Sequence, residues 1–529
     1  MTTLDDLASG PPLDAVIVGG GINGAAITAE TSRRGLRVAL FEADDYGFGT
    51  TWRSTKLIHG GLRYLEHGDV RLVFESLRER AWLLRAKPHL VRPRRFILPL
   101  VPWTRRPAWQ LRAGLAMYDT LAFRGSLPAH RRLSANDVRN LAPYVGETEG
   151  GGFSFYDARA LSPERLTLEL VLLAERRGAF IANHTPVTRI ITSAGEVAAV
   201  EVDDGRRRVI VPTSTVINAA GPWVDAVNEV SDQPPTKFLG ATRGTHIALE
   251  LETALPKEAI FSTAREDGRV LFAVPQEGLL LFGTTDVRFD LEPGEVRPTP
   301  EDIDYLVTEA RLLLPGLGID HRSIRYSYAG LRPLQRATGR SEAEISRRHS
   351  LIDHGATGGA RGVYSVIGGK LSTFRPLARE VADEVEASLP EIEGDLPEVE
   401  RPLASRAAGE WQDALNTSGL ELHTRARLAV YGPALPAILA SGKAALCDSC
   451  GTLEGEVQNA IDNEHAVTIG DVILRRTGAG WRKDRGLCCH ERIGVAMARA
   501  LGWSQVQLRA QVEAFRAEVD YHLPAPGAE

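Results

Sequence analysis

The sequence predicts an α/β protein in three parts: a domain with a Rossmann-type parallel sheet, a β-rich cap, and a C-terminal helical domain. Three observations carry this. Residues 14–44 read as strand, glycine turn, helix and second strand. Residues 243–332 stay mainly β, with short apolar runs separated by turn residues. Beyond residue 402 the pattern is helical. The expected division is 1–240 with 345–395 for the first domain, 241–344 for the cap with contributions from 85–150, and 396–529 for the helical domain. A chain of 529 residues is too long for one core.

The opening unit points to dinucleotide binding. An apolar run, Ala15 to Val18, flows into Gly19-x-Gly21-x-x-Gly24, and a second strand ends at Glu42. Gly19 permits a tight turn, Gly21 lets the backbone approach a pyrophosphate, and Gly24 lets helix and strand pack closely. Ile22 and Asn23 open the helix, whose free N–H groups and dipole face that pyrophosphate. Glu42 is placed to accept from ribose hydroxyls and to repel a 2′-phosphate, which disfavours NADP. This unit does not separate NAD from FAD.

The remaining elements follow in order. Residues 75–85 read as a helix with Leu77, Leu83 and Leu84 on one side, and 167–178 as a helix ending at Gly178. Residues 197–202 and 207–211 flank Asp203-Asp204-Gly205, a hairpin signal. Residues 215–218 form a strand that runs into Ala219-Ala220-Gly221; small residues suit close approach to a cofactor, and an ordinary strand-to-helix turn would read alike. The run 269–286 reads as a further hairpin, and 362–375 as strand, two glycines and a new helix. Residues 391–402 read as an acidic, proline-rich linker; 490–501 and 504–523 read as the last helices, with Ser504-x-x-Gln507 as a capping box.

Composition bounds the partners. A net charge of -6 argues against nucleic acid. No apolar run is long enough to span a bilayer, the N-terminus lacks the apolar core of a signal peptide, and four cysteines suit a reducing compartment, so a cytoplasmic protein is expected. From Arg80 to Met117 there are nine Lys or Arg and no acid, with Phe96, Trp103 and Trp109 interleaved. This segment suits an anionic membrane surface, a cationic wall round an anionic substrate, or a solvated face. Cys447-x-x-Cys450 and Cys488-Cys489 could hold zinc or an iron–sulfur cluster. Vicinal cysteines on a regular helix cannot readily share one ion, so buried thiols and no metal are expected.

Residues 54–66, STKLIHGGLRYLE, closely resemble the FAD-dependent glycerol-3-phosphate dehydrogenases, respiratory flavoproteins that feed electrons to quinone. The likeness continues in residues 92–102, 216–225, 243–249, 282–287, 328–334, 368–375 and, in the tail, TIGDVILRRT at 468–477. Arg243 departs from the family, which often has lysine there; residues 157–170 are spaced differently, and no role is carried onto them.

The resemblance implies a glutathione-reductase-like FAD domain, a non-covalent FAD, and peripheral attachment to the inner face of the cytoplasmic membrane. It implies oxidation of glycerol 3-phosphate to dihydroxyacetone phosphate, hydride passing to flavin N5 and electrons to membrane quinone. An oxidase of the same fold, using oxygen and releasing hydrogen peroxide, is the alternative; a homodimer stays open. Arg63 and Arg332 match positions near the substrate phosphate, with Tyr64 as hydroxyl donor. His246 is the first choice of base, while His59, before Gly60, is expected at the flavin. Lys370 is placed to neutralise charge at the flavin or the developing alkoxide, and Asp286, with Thr285, reads as a cap residue of the site. Ser54, Thr55 and Lys56 are expected along the FAD pyrophosphate and ribitol, and Gly369, Lys370, Leu371, Ser372 and Thr373 at the start of the last cofactor helix.

Overall fold

The protein is seen in a computed structural model that describes residues 2–66, 68–122, 127–336, 348–389, 405–520 and 522. Its first sheet grows from the opening unit. Ala15–Val18 and Val38–Phe41 are apolar and fully buried, as strands covered on both faces must be. They pair in parallel with Ile17 opposite Leu40. Val216–Asn218 and Val363–Ile367 extend the sheet on one side and Phe180–Ala182 on the other, all parallel. Ser350–Asp353 closes one edge antiparallel, giving six strands. Helices Ile22–Arg33, Pro163–Arg176 and Phe374–Ser388 supply much of the core on one face. The hairpin at Asp203–Gly205 belongs to a separate three-stranded antiparallel sheet on the opposite face.

The second sheet has ten strands. Thr242–Leu249, Val270–Gln276, Leu279–Gly283 and Ile324–Arg332 come from the expected β region. Four of its strands come from earlier in the chain. Val91–Pro99 pairs antiparallel with Gly152–Ala160 over nine positions and parallel with Ala259–Thr263. This strand lies inside the basic run, and sequence reasoning missed it. Its arginines at 92, 94 and 95 interrupt the apolar alternation, and only the end, Phe96 to Pro99, is buried in succession.

Two helices begin earlier than expected. Asp69 caps Val70–Ala86, and Ser162 caps Pro163–Arg176 with proline at its first position. Ser504 and Gln507 exchange the expected capping bonds, at 2.8 and 3.3 Å, before the helix Gln505–Asp520. The expected linker at 391–402 and the tail end beyond 522 lie outside the described residues.

The C-terminal helices dock through buried charge. The π-helical turn Asp471–Arg476 presents Arg475 and Arg476 to Asp45, three residues past Glu42. Arg475 Nε donates to Asp45 Oδ2 at 2.6 Å, and Arg476 Nη2 to Oδ1 at 2.7 Å. Arg165 pairs with Glu464 at 2.5 Å on the same seam. Removing one partner of a buried ion set leaves the others uncompensated. Asp45→Ala is therefore expected to cost about 3–5 kcal/mol of docking. Limited proteolysis should cleave the C-terminal helices far earlier than in the wild type; unchanged cleavage and an unchanged melting midpoint would refute this account of the seam.

Candidate functional site

Two cavities meet along the residues that join both sheets. The first has a volume of about 370 Å³ and lies over the glycine turn. Gly19, Gly21, Ile22, Asn23, Glu42, Ala220, Gly221, Gly369, Lys370 and Leu371, all expected at the cofactor, line it with Thr51. Gly24 does not reach it and acts through packing: a Cβ there would lie 1.9 Å from the Gly19 carbonyl oxygen. Glu42 Oε2 accepts from Gly20 N at 2.5 Å and Oε1 from Asp44 N at 2.9 Å. Burial pushes its carboxyl up to about 7 against the pull of these N–H groups. Gly368 and Gly369 both adopt positive φ, +77° and +90°, and this turn carries Lys370 between the two cavities.

The second cavity, about 810 Å³, lies against the cap. Ser54, Thr55, His59, Tyr64, His246, Asp286, Arg332, Lys370 and Ser372 line it. Arg332, at the end of its strand, donates Nη1 to Asp286 Oδ1 at 2.9 Å and Nη2 to Thr284 Oγ1 at 3.2 Å. Asp286 thus orients a guanidinium. Lys370 Nζ stands 3.5 Å from the Tyr64 ring centroid. His246 is buried, stacks on Tyr328 at 5.0 Å and has Nε2 2.9 Å from Thr55 Oγ1. Burial, then the Arg332 and Lys56 cations, pull its imidazolium down to about 3, so the ring is neutral across the working range.

Several expectations need correction. Lys56 turns away from both cavities. It is fully buried, 3.2 Å from Glu164 Oε2 and 3.4 Å from the Trp481 ring centroid, and burial lowers it to about 8. Gly60 lines neither cavity; its N–H donates to Tyr118 Oη at 2.7 Å, and Tyr118 donates to Asp157. Thr373 is buried at the start of the helix Phe374–Ser388, outside both linings. Arg243 faces Asp302 at 2.9 Å. Arg63 sits on the helix Leu62–Glu66, and its side chain lies outside the described residues. The stretch to which no role was given proves structural: Asp157 and Glu164 are the acceptors that hold the 54–61 loop. Arg53, Asp267 and Arg269 were missed and line the second cavity. Arg269 stands just before the strand Val270–Gln276, at the first residue of the expected hairpin, and the spatial meeting of its Nη2 with the Asp286 carbonyl at 3.3 Å is what reveals its place in the site.

The first cavity fits a dinucleotide. A Cβ on Gly21 would meet only Thr51 Oγ1, at 3.6 Å, so a side chain there would occupy the cavity and not the protein. Asn23 Oδ1 is buried in its lining without a protein partner, while Nδ2 donates to the Gly368 carbonyl at 3.2 Å. Gly21→Val is therefore expected to fold with an unchanged circular dichroism spectrum and to purify without dinucleotide. A valine variant carrying stoichiometric dinucleotide would contradict this assignment of the cavity.

Comparison with known proteins agrees with this geometry. Residues 14–384 match the FAD dependent oxidoreductase family, and residues 404–508 match the C-terminal domain of alpha-glycerophosphate oxidase. A glycerol-3-phosphate dehydrogenase of Synechocystis sp. is 33% identical over 95% of each chain. The solved glycerol-3-phosphate dehydrogenase of Bacillus halodurans, complexed with FAD, has the same fold: TM-score 0.77, 24% identity, 99% of this chain and 98% of that one. The L-alpha-glycerophosphate oxidase of Mycoplasma pneumoniae matches 74% of this chain and all of its own, with a TM-score of 0.57 and 19% identity. With its glycine turn, its confluent cavities and a family match over most of its length, the chain belongs to the FAD dependent oxidoreductases.

Proposed function

We propose that the protein oxidises sn-glycerol 3-phosphate to dihydroxyacetone phosphate and passes the electrons to membrane quinone. The carrying observation is a cationic pocket, with Arg332 held on Asp286 and Lys370 at the junction, opening onto the dinucleotide cavity. The glycerol-3-phosphate dehydrogenase activity named for the Synechocystis relative supports the substrate. FAD, when bound, supplies the hydride acceptor. Gly19, Gly21, Asn23, Glu42 and Gly369 would hold its nucleotide and diphosphate side.

The residues of this chain do the rest. Arg332, with Arg63 and Tyr64, binds the phosphate; a guanidinium matches its oxygens in bidentate geometry. His246 takes the C2 hydroxyl proton at Nε2, the nitrogen beside Thr55. Burial and the neighbouring cations alone would hold its basicity too low for this. A dianion on Arg332 neutralises one cation that depresses the imidazole and adds negative charge, so the base strengthens when substrate is in place. Lys370 stabilises the negative charge that develops on the oxygen.

The membrane reading draws on one surface. Phe74, Trp109 and Met117 are exposed on the helices Val70–Ala86 and Ala108–Leu121, with Arg105 and Arg112 exposed nearby. No described helix is long and apolar enough to cross a membrane, so attachment would be peripheral. The oxidase reading draws on the tail match and on the Mycoplasma fold.

Anaerobic mixing with glycerol 3-phosphate should bleach the bound flavin, and a quinone analogue should restore it. Absence of bleaching removes this substrate; restoration by air alone, with peroxide released, makes the protein an oxidase. Arg332→Ala should raise KM for glycerol 3-phosphate by about 10²-fold and leave unphosphorylated glycerol nearly unaffected. Equal effects on both would remove Arg332 from phosphate binding. His246→Ala should lower kcat by about 10²–10⁴-fold with full flavin content, and a kcat within a factor of three or so of wild type would place the base elsewhere.

A further inference from the structure

The four cysteines converge in the C-terminal domain. Cys447 and Cys450 lie in the turn that follows the helix Leu435–Ser441. Gly451 N donates to the Cys447 carbonyl at 2.8 Å and Gly451 takes φ +66°, which folds the turn back on itself. Cys488 and Cys489 precede the helix His490–Leu501 in an irregular turn, with Cys489 at φ -127°, ψ -9°. The objection to a vicinal pair applied to a regular helix, and this backbone is not one. The sulfurs of Cys447, Cys450 and Cys488 lie within 4.8 Å of one another, and Cys489 belongs to the same buried cluster.

We propose that Cys447, Cys450, Cys488 and Cys489 bind one zinc ion as a tetrathiolate site. A tetrahedral ion at the usual Zn–S length spaces its sulfurs by about 3.8 Å, close to the convergence seen. A two-iron cluster spreads its four thiolates over a longer span. Cys447, Cys450 and Cys489 are buried in an apolar core with Val457, Ile469 and Ile473, where thiols without an ion have only weak hydrogen bonds. Arg427, beside Cys450 and bonded to the Gly451 carbonyl at 2.6 Å, offsets the net negative charge of such a site. The other group of ligand type among the described residues, Asp45, His184 and Asp471, is neutralised by Arg475 and Arg476 and calls for no cation.

The ion would fix the turn that carries Trp481 and Arg485. Trp481 Nε1 donates to Glu164 at 2.6 Å, and its ring lies 5.9 Å from Tyr328. Arg485 lies 4.8 Å from the Tyr326 ring centroid. The site is thus a structural clamp between the tail and the strand that backs His246.

Metal analysis of the purified full-length holoenzyme should find one zinc per chain, lost to background in Cys447→Ser/Cys450→Ser. Should that variant fail to fold, the wild type decides: intact mass after native alkylation should show protected thiols, and four alkylated ones after a strong zinc chelator. Cobalt put in place of zinc should show thiolate charge-transfer bands with tetrahedral d–d absorption. Zinc-free protein with four reactive thiols overturns the proposal. So do a disulfide, read as a mass loss of two hydrogens, and iron with acid-labile sulfide.

Discussion

Asp45 is the point at which the first sheet and the C-terminal helices meet. It is fully buried just beyond the second strand of the nucleotide unit, and two arginines from the tail share its carboxylate. Asp471 pairs with Arg475 in the same cluster, so two buried anions face two buried cations, and Glu518 at the rim takes a further Arg475 bond. Such a set contributes little net stability over an apolar seam, because desolvation offsets the attraction. What it supplies is geometry. Only one placement of the tail satisfies both guanidiniums, and that placement brings Trp481 over Lys56. The block TIGDVILRRT is therefore an interface element and takes no part in chemistry.

From that seam the constraint passes to the site through Lys56. A lysine buried at positive φ is costly, and here Glu164 and the Trp481 ring hold it together from two domains. Lys56 opens the loop whose next strand, Leu57–Ile58, joins the cap sheet, and whose Thr55 meets His246. The resemblance placed Lys56 at the cofactor; burial makes it the peg of the loop that shapes the cofactor wall.

Much of this was legible because local chemistry is strict where backbone meets ligand. The glycine fingerprint, the acid at Glu42, the double glycine before Lys370 and the cap strand bearing His246 are all encoded within short windows, and each lines a cavity. The parts that escaped are non-local. Val91–Pro99 is a strand because Gly152–Ala160 lies beside it, against what its arginines suggest. Arg53 reaches the cavity from a segment without periodicity, and Arg269 from the first residue of an expected hairpin whose strand pattern says nothing of a ligand. Asp157 and Glu164 hold loops a hundred residues away in sequence, which no spacing rule can reveal. Cys488 and Cys489 fall in an irregular turn just before the helix His490–Leu501, so an argument from regular helix geometry does not reach them.

The low basicity of His246 follows from the same burial that positions it. A neutral imidazole surrounded by Arg332, Lys56 and apolar rings cannot take a proton at little cost while the pocket is empty. An enzyme that binds a dianion can use this. On the proposed reading, the substrate's charge would seat it on Arg332 and offset the part of the imidazolium's penalty that comes from that cation, burial remaining the larger part. An uncharged polyol would bring no charge to offset the Arg332 cation beside the imidazole, and would lose rate as well as affinity. On that reading, part of the specificity for a phosphorylated alcohol would arise in the proton-transfer step, through the Arg332 guanidinium beside the buried ring.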